Sequence, residues 1–571
     1  MRSSTTHAAA GLGLAVGLLA TPAFADAEHG ATRRTEMGAY ARDLPQGAAQ
    51  PTSTAEPALI AGVGPLAWPG ASADPGAAAY FAQGLNFAWG FNHAEAVRAF
   101  RAAQARDPDC ALCFWAEAWA LGPNINFPMD APANARALAA LDQARQAGPR
   151  DALTAELIDA LSARHSEDPR AARVTLDAAY ADAMRAVRAR HPGNPDVAML
   201  AADAMMNISP WDYWTDEGRT PKGATAEMVA LIEEVLAAHP DHIGAIHLYI
   251  HAVEASDRPE RAAPHAARLA ALAPAIGHLV HMPSHIWYRT GAWRESLAAN
   301  RAAVAADRVQ LARGGASVLV AEGYHPHNIH FVLASALMGG DGPTAVAAAE
   351  ELAGIVSARA ARDVPWTQPI QAAPYVAHAR FSAPDAVIAM PPPAEAGPFL
   401  GAHWHYARGV AFARLGRLDE ARAEAARIRD LAGTEQIMAL TALGVPGVPT
   451  LGIAQELVEA RADAAAGDHL RAATRFERAA AMQEALPYME PPFWFDPIRP
   501  AQGAALLAAG RTAEAIGVFR AALARQRQDG WAAAGLLAAA QRTDDAALEA
   551  EMSERLERSW FGPEPPTLDR F

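Results

Sequence analysis

The sequence predicts an all-α fold, a solenoid of about ten helix pairs. At 571 residues the chain is too long for one compact core, so several domains or an elongated repeat array is expected. Hydrophobic residues make up 51% of the chain, with abundant alanine and no long β-branched run, a composition that favours helices. Apolar residues recur with a period of about 3.6 between glycine-containing turns, for example at Gly291, Gly416 and Gly467. We therefore expect residues 77 to about 557 to form one helical array without a β-sheet.

The N-terminus has the pattern of a secretory signal. Arg2 precedes an apolar stretch at residues 8–20, and Ala23-Phe24-Ala25 is a small-residue cleavage site. A membrane anchor is the weaker interpretation because the apolar run is short. We therefore predict that residues 1–25 are a signal peptide and that the mature protein is periplasmic or secreted. The Pro-, Gly- and Ala-rich residues 26–76 are expected to form an extended leader segment.

The first predicted repeat spans residues 77–110 and has the residues that a tight helix pair needs. Small side chains at Gly84 and Ala96 allow the two helices to approach closely. Aromatic side chains at the helical spacing fill the seam: Tyr80, Phe87 and Phe100. The pattern resembles the tetratricopeptide repeat, whose period is 34 residues. This resemblance implies a right-handed superhelical solenoid.

The same register extends along most of the chain. Tetratricopeptide-like repeats are expected over residues 77–381, and further repeats ending in a cap over residues 401–557. The proline-rich residues 382–400 are expected to form a loop between them, and residues 558–571 a tail.

Several motifs resemble a family of exported bacterial tetratricopeptide proteins that are mostly described by their repeats. These motifs are residues 91–96, 107–111, 122–126, 281–286, 325–331 and 491–497. The resemblance supports the fold and the architecture and leaves the chemistry to the residues themselves. Within the second motif, Cys110 and Cys113 are either a strained pair or ordinary small core residues, and the second interpretation is favoured.

Charge limits the class of partner. The formal net charge is −15, and Lys222 is the only lysine, which argues against nucleic acid or an anionic membrane as the partner. After residue 25 the sequence contains no segment that is long and apolar enough to span a bilayer. Small molecules, cations and proteins remain.

Histidines are concentrated in the middle of the chain, with eleven of the twenty between His239 and His330. In tetratricopeptide proteins the first helix of each pair lines the concave groove, mainly through its positions 2, 5, 9 and 12, and the resemblance implies the same here. On that register the candidate metal ligands occupy groove positions of three successive repeats: His247, His251 and Glu254; His278, His281 and His285; His327 and His330. His403 and Tyr406 take positions 2 and 5 of a later repeat, while His242 and His405 lie beside the register and are expected to support ligands.

A single histidine on an apolar helix face is usually a hydrogen-bonded core residue. A cluster is different, because several imidazoles packed together without a metal or a carboxylate match their donors and acceptors badly. Neutral imidazoles with one carboxylate favour Cu, Fe, Zn or Ni over Mg or Ca. If more than four of them ligate, one tetrahedral zinc is overfilled, which favours two metals or a copper or iron centre. The predicted cofactor is thus a transition metal, with Cu, Fe or Zn as the candidates.

Two classes of function stay open at this point. The first is a metalloprotein, either an oxidoreductase or hydrolase or a metal carrier. The second is a scaffold that binds a protein or peptide partner in the groove, but peptide clamps for acidic termini use Lys, Arg or Asn at the positions that hold histidine here. The sequence contains no zinc-protease motif and no phosphate-binding loop. Ser284, between two of the histidines, is interpreted as a capping residue beside Pro283.

Overall fold

The computed structural model describes residues 56–129, 131–168, 170–314, 316–394 and 397–570. These residues form an array of short helices in which each helix packs against the next, so the predicted all-α solenoid is confirmed. The predicted signal peptide and residues 26–55 of the leader lie outside the described residues.

The N-terminal half of the described chain consists mainly of helices that pack against their neighbours in sequence. They are α1 (Pro75–Trp89), α2 (His93–Arg106), α3 (Ala111–Leu121), α4 (Ala131–Ala147), α5 (Ala152–Ser162), α6 (Arg173–Arg190), α7 (Pro195–Met206), α8 (Thr225–Ala238), α9 (Ile243–Val253), α10 (Ala263–Leu272), α11 (Gly277–His281), α12 (Pro283–Thr290) and α13 (Trp293–Ala312). A 3₁₀ turn, Pro259–Ala262, precedes α10.

The C-terminal half continues the same pattern after a π-helical turn, Leu319–Tyr324. Its helices are α14 (His325–Met338), α15 (Gly342–Leu352), α16 (Ala358–Asp363), α17 (Thr367–Phe381), α18 (Pro384–Ile388), α19 (Pro398–Arg414), α20 (Leu418–Ala432), α21 (Glu435–Ala442), α22 (Gly447–Ala465), α23 (His469–Glu484), α24 (Arg499–Ala508), α25 (Thr512–Arg525), α26 (Gly530–Arg542) and α27 (Ala546–Ser559). A short 3₁₀ turn, Leu568–Arg570, follows them.

Local sequence explains where many of these helices begin and how closely they pack. The side chains of Asp74 and Asn92 accept hydrogen bonds from backbone N–H groups in the first turns of α1 and α2. At Gly84 in α1, a Cβ atom would lie 2.5 Å from the ring of Phe100 in α2. Glycine is therefore required for the closest approach in this helix pair, as the sequence pattern indicated.

Two hydrophobic clusters form the core, and they meet in the middle of the array. One runs from Val63 to Tyr324, and the other from Tyr288 to Met552. Helices α11, α12 and α14 lie where the two clusters meet, and they carry most of the candidate histidines. None of the described helices is both long and apolar enough to cross a membrane.

Two details differ from the sequence-based expectation. A small antiparallel hairpin, β1 (Trp214–Thr215) and β2 (Thr220–Pro221), interrupts the helices. Its turn contains Asp216, Glu217 and Gly218 with positive φ, which a tight hairpin turn needs. The interval 382–400 is also not all loop, because α18 forms in it with Pro384 in its first turn.

The late repeats fold back onto the middle ones. The indole N–H of Trp293 donates to the carbonyl oxygen of Gln528 at 2.7 Å, and the backbone N–H of Phe561 donates to Gly339 O at 2.9 Å. Residues 486–498, between α23 and α24, are here called the inner segment. Within it, the ring of Trp494 lies 5.0 Å from that of Tyr406. The inner segment thereby fills part of the inside of the array.

Candidate metal centre

Six of the candidate histidines converge as two groups of three. The first triad comprises His247 and His251 on α9 and His278 on α11, each offering a ring nitrogen within 4.8 Å of the others. All three side chains are buried. Helix α9 is fixed at its start by His242, whose Nδ1 accepts the backbone N–H of Ala245 at 3.1 Å. His247 and His251 are one turn apart on this helix and therefore share a face.

The second triad comprises His281 at the end of α11, His285 on α12 and His327 on α14, and its ring nitrogens satisfy the same 4.8 Å limit. Pro283 lacks a backbone N–H, which breaks the helical ladder between α11 and α12. His278 and His281 both precede this break and lie one turn apart on α11, but they belong to different triads. The first and second triads are neighbours, since the rings of His251 and His285 are 5.7 Å apart.

Hydrogen bonds hold the outer nitrogens of His247 and His251 in the first triad, while His278 Nδ1 has no hydrogen-bond partner among the described residues. His247 Nδ1 lies 2.6 Å from the carbonyl oxygen of Trp89, and His251 Nδ1 lies 2.7 Å from Glu254 Oε1. Burial raises the pKa of Glu254, but His285 and His251 lower it further, so the carboxyl is ionised and its pKa lies below the ordinary value. A carbonyl and a carboxylate can only accept, so both Nδ1 atoms carry the proton and both Nε2 atoms carry the lone pair.

The second triad has the same arrangement. His281 Nδ1 lies 2.6 Å from Asn300 Oδ1, and the amide cannot be reversed without losing the bond that Asn300 Nδ2 donates to Ser296 O at 2.7 Å. His285 Nδ1 lies 2.5 Å from Glu254 Oε2. The Nδ1 atoms of His281 and His285 therefore donate, and their Nε2 atoms face into the triad.

The Nε2 atoms that face into each triad lie closer together than two unprotonated nitrogen atoms normally do. His281 Nε2 and His285 Nε2 are 2.8 Å apart, and His247 Nε2 and His278 Nε2 are 3.1 Å apart. Two such nitrogens repel unless a proton or a cation lies between them. Nitrogen ligands about 2.0–2.1 Å from one metal ion are about 2.9–3.4 Å from each other, so these separations are close to those of a metal's coordination shell.

Glu254 connects the two triads. Its carboxylate, with 0% of its surface exposed, accepts from His251 through one oxygen and from His285 through the other. The hydroxyl of Tyr488 in the inner segment donates to Glu254 Oε2 at 3.1 Å and lies 3.0 Å from Glu490 Oε1. Glu254 therefore lies behind the histidines, with both of its oxygens engaged by imidazole N–H groups.

Burial and crowding set the proton affinities. Burial, followed by the charge of neighbouring imidazoles, holds the pKa of His247, His278 and His327 well below the ordinary value. Burial also lowers the pKa of His251. For His285, burial lowers the pKa, but the Glu254 carboxylate more than compensates, so its pKa lies above 6.5. In the metal-free protein the proton between His281 and His285 therefore belongs to His285.

The structure does not bring His330 into either triad. Its ring packs on Phe495 of the inner segment, with the ring centres 5.0 Å apart, and neither nitrogen has a hydrogen-bond partner among the described residues. Burial lowers its pKa to about 3. Of the eight predicted site residues, six form the triads and Glu254 lies behind them.

Other expectations around the site need correction. Ser284 is not a cap, because it lies inside α12 with its Oγ 3.3 Å from His281 Nδ1. His242 was expected to support a ligand but caps α9 instead, and His405 pairs with Glu424 in a late repeat.

Sequence reasoning missed Asn300, Phe91, Phe331 and Tyr488, which all contact the triads or Glu254. A signal was available for Phe331, which lies one helical turn after His327 and so shares its face.

The two cysteines form a disulfide, so their interpretation as ordinary core residues was wrong. Cys110 is the residue before α3 and Cys113 lies in its first turn, with their Cα atoms 5.3 Å apart. This separation is within the range that a disulfide spans.

Comparisons with known proteins identify no family for this chain. No protein-family model matches the chain, and no curated protein matches it. Among solved structures, it is similar to the P58(IPK) TPR domain, with 12% identity over 61% of this chain and 91% of that chain, and a TM-score of 0.19. It is also similar to a chain in the structure of Naa15/Naa10 bound to HypK-THB, with 12% identity over 84% of this chain and 70% of that chain, and a TM-score of 0.19. Likeness at this level carries no argument about chemistry.

Proposed function

We propose that this protein binds two transition-metal ions, one in each histidine triad. The observation that carries the proposal is the direction of four imidazoles. The Nδ1 atoms of His247, His251, His281 and His285 all donate to groups that can only accept. Metal-ligating histidines almost always donate their other ring N–H to such a carbonyl, amide or carboxylate oxygen. The remaining nitrogens point into the two triads.

The role proposed for Glu254 follows from its position behind both triads. A carboxylate that accepts from an imidazole N–H raises the basicity of the opposite nitrogen. Because Glu254 serves His251 and His285 at once, it favours metal in both sites. It also supplies one negative charge where two cations would be buried.

The burial of the ligands favours a protein that holds its metal over one that offers it to a large substrate. The six ligand side chains are 0% to 9% exposed. A metalloenzyme acting on a small molecule and a metal carrier both fit this enclosure. A peptide in the groove would not touch these histidines, because their side chains are buried. Protein binding remains compatible with the fold through other surfaces, and we treat it as the second candidate.

We also propose that the protein is exported, as a member of the exported bacterial tetratricopeptide proteins that its motifs resemble. The disulfide between Cys110 and Cys113 supports this proposal, since such bonds persist mainly in oxidising compartments. Proteins in those compartments acquire metal after export or carry it from the cytoplasm.

Acid is expected to remove the metal from the two triads at different pH values. The raised pKa of His285 means that a proton competes for the second triad as soon as the pH falls towards 6.5. The affinity of the second triad for metal should then drop about tenfold for each further unit by which the pH falls. In the first triad the pKa values are lowered, so protons do not compete until the pH is well below 6.5.

Elemental analysis of untagged protein, dialysed at a series of pH values, measures how many metal ions each chain retains at each pH. We expect two metal ions per chain above neutral pH and one per chain in mildly acidic buffer. Simultaneous release of both ions would contradict the role given to His285. Protein that acquires no metal from a mixed-metal medium at neutral pH would contradict the proposed function as a whole.

A further inference from the structure

We infer that the two triads are built for monovalent copper and together form a cuprous pair. This inference rests on the proposed function and goes beyond it by naming the ion. Three features of the described residues support it: the number and kind of donors, the aromatic rings that enclose them, and the charge around them.

The donors suit copper. Each triad offers three imidazole nitrogens, and neither includes a thiolate or carboxylate. Imidazole is a good ligand for copper, zinc, iron and nickel, and the usual non-haem iron site adds a carboxylate to its histidines, which these triads lack. Cu(I) is satisfied by three donors in a trigonal arrangement. Zinc almost always has four ligands, so a zinc ion held by three histidines needs a water or an anion in addition.

One phenylalanine ring lies against each triad. Phe91 is 4.4, 5.7 and 5.9 Å, centre to centre, from His247, His251 and His278. It adopts a φ of 53°, a left-handed conformation that a bulky side chain rarely takes. The backbone at Phe91 is therefore strained, and with this conformation the ring lies on the first triad.

Phe331 lies against the second triad as Phe91 lies against the first. Its ring centre lies 4.8 Å from His281, 5.2 Å from His285 and 5.1 Å from His327. An apolar ring therefore lies against each buried triad and offers no hydrogen bond to a metal-bound water, although the ring of Tyr324 also stacks on His278. This enclosure favours an ion that needs no fourth ligand over one that brings its own water.

The charge around the site is also low. The charged side chains that reach the triads are Glu254, Glu490 behind Tyr488, and Arg289, whose guanidinium lies 5.7 Å from the Tyr488 ring and donates to Glu254 O. Even with both carboxylates ionised, Glu254, Glu490 and Arg289 together carry a net charge of only −1. Two divalent ions would leave three positive charges in this buried site, whereas two Cu(I) ions leave one. Uncompensated buried charge is strongly unfavourable, so the monovalent pair is preferred.

Anaerobic titration of the untagged full chain tests the inference. Cu(I) is supplied as its complex with bicinchoninate, whose colour reports the copper that the protein removes, and Zn²⁺ is titrated separately against a zinc chromophore. We expect two Cu(I) per chain and an affinity for Cu(I) at least about tenfold above that for Zn²⁺. Two zinc ions bound as tightly as copper would overturn the copper assignment and leave the proposed function intact. Failure to bind either ion would overturn the copper assignment, and failure to acquire any metal from a mixed-metal medium as well would overturn both.

Phe91→Ala tests the part assigned to the aromatic enclosure. Opening the first triad to water should supply the fourth zinc ligand, and the preference for Cu(I) over Zn²⁺ at one of the two sites should fall by about tenfold or more. Phe91→Leu, which keeps an apolar side chain there, should retain the preference. Phe519→Ala is the matched control, because Phe519 is fully buried between α24, α25 and α26 in the late repeats. An unchanged preference in folded Phe91→Ala protein, or an equal loss in the control, would overturn the inference.

Discussion

Replacing His251 and His281 together by alanine is expected to reduce the metal content of the protein from two ions per chain to none. Each substitution removes one nitrogen from a different triad, and two remaining imidazoles hold a metal far less tightly than three. The single variants His251→Ala and His281→Ala should each retain one ion. Elemental analysis of untagged protein after dialysis measures the number of metal ions per chain in the double variant and in each single variant.

The fold is expected to survive these substitutions, because its stability comes from the helix seams and the two hydrophobic clusters. A far-UV circular dichroism spectrum like that of the wild type would show that metal loss is not unfolding. His239→Ala is the matched control, since His239 is exposed at the end of α8 and should leave both ions in place. Loss of both ions in either single variant would show that the triads form one indivisible site.

Glu254→Gln is expected to weaken both sites at once, by about 10- to 100-fold in affinity. The glutamine amide has one oxygen that accepts and one nitrogen that donates, so it can accept from His251 or from His285 but not from both. The substitution also removes the negative charge shared by the two sites. Competition titration with a chromophoric chelator measures the two affinities separately.

Glu424→Gln is the matched control for this prediction. Glu424 accepts from His405 and Arg408 in a late repeat, so it is a partly buried carboxylate paired with a histidine outside the triads. Its replacement should leave both metal affinities unchanged. If Glu254→Gln weakened only one site, the bridging role of this carboxylate would be wrong.

The fold and the convergence of the histidines could be predicted because both depend on local periodicity. Ligands spaced one turn apart, such as His247 and His251, share a helix face wherever that helix packs. The turn glycines fix which face is turned towards the next repeat. For these reasons the register alone brought histidines from three successive repeats together.

The division into two triads could not be predicted from that register. It depends on tertiary packing around α11, where His278 meets His247 and His251 of α9, whereas His281, only three residues later on the same helix, meets His285 and His327. His330 has an equally good register position, yet its ring faces Phe495.

Contacts between distant parts of the chain could also not be predicted from the sequence. Tyr488 reaches Glu254 across 234 residues, and Trp293 reaches Gln528 across 235. These contacts arise from the curvature of the whole array, which accumulates from small rotations between repeats. The sequence periodicity within one repeat does not reveal this accumulated curvature.

The central claim is that two metal ions lie within this chain, each held by three histidines. Anomalous diffraction from crystals of the metal-loaded protein, collected on both sides of the metal's absorption edge, tests it most directly. We expect two peaks, one within bonding distance, about 2.0–2.1 Å, of nitrogens from His247, His251 and His278, and one at the same distance from His281, His285 and His327. A single peak elsewhere, or no peak at either triad in crystals grown with saturating metal, would contradict the claim.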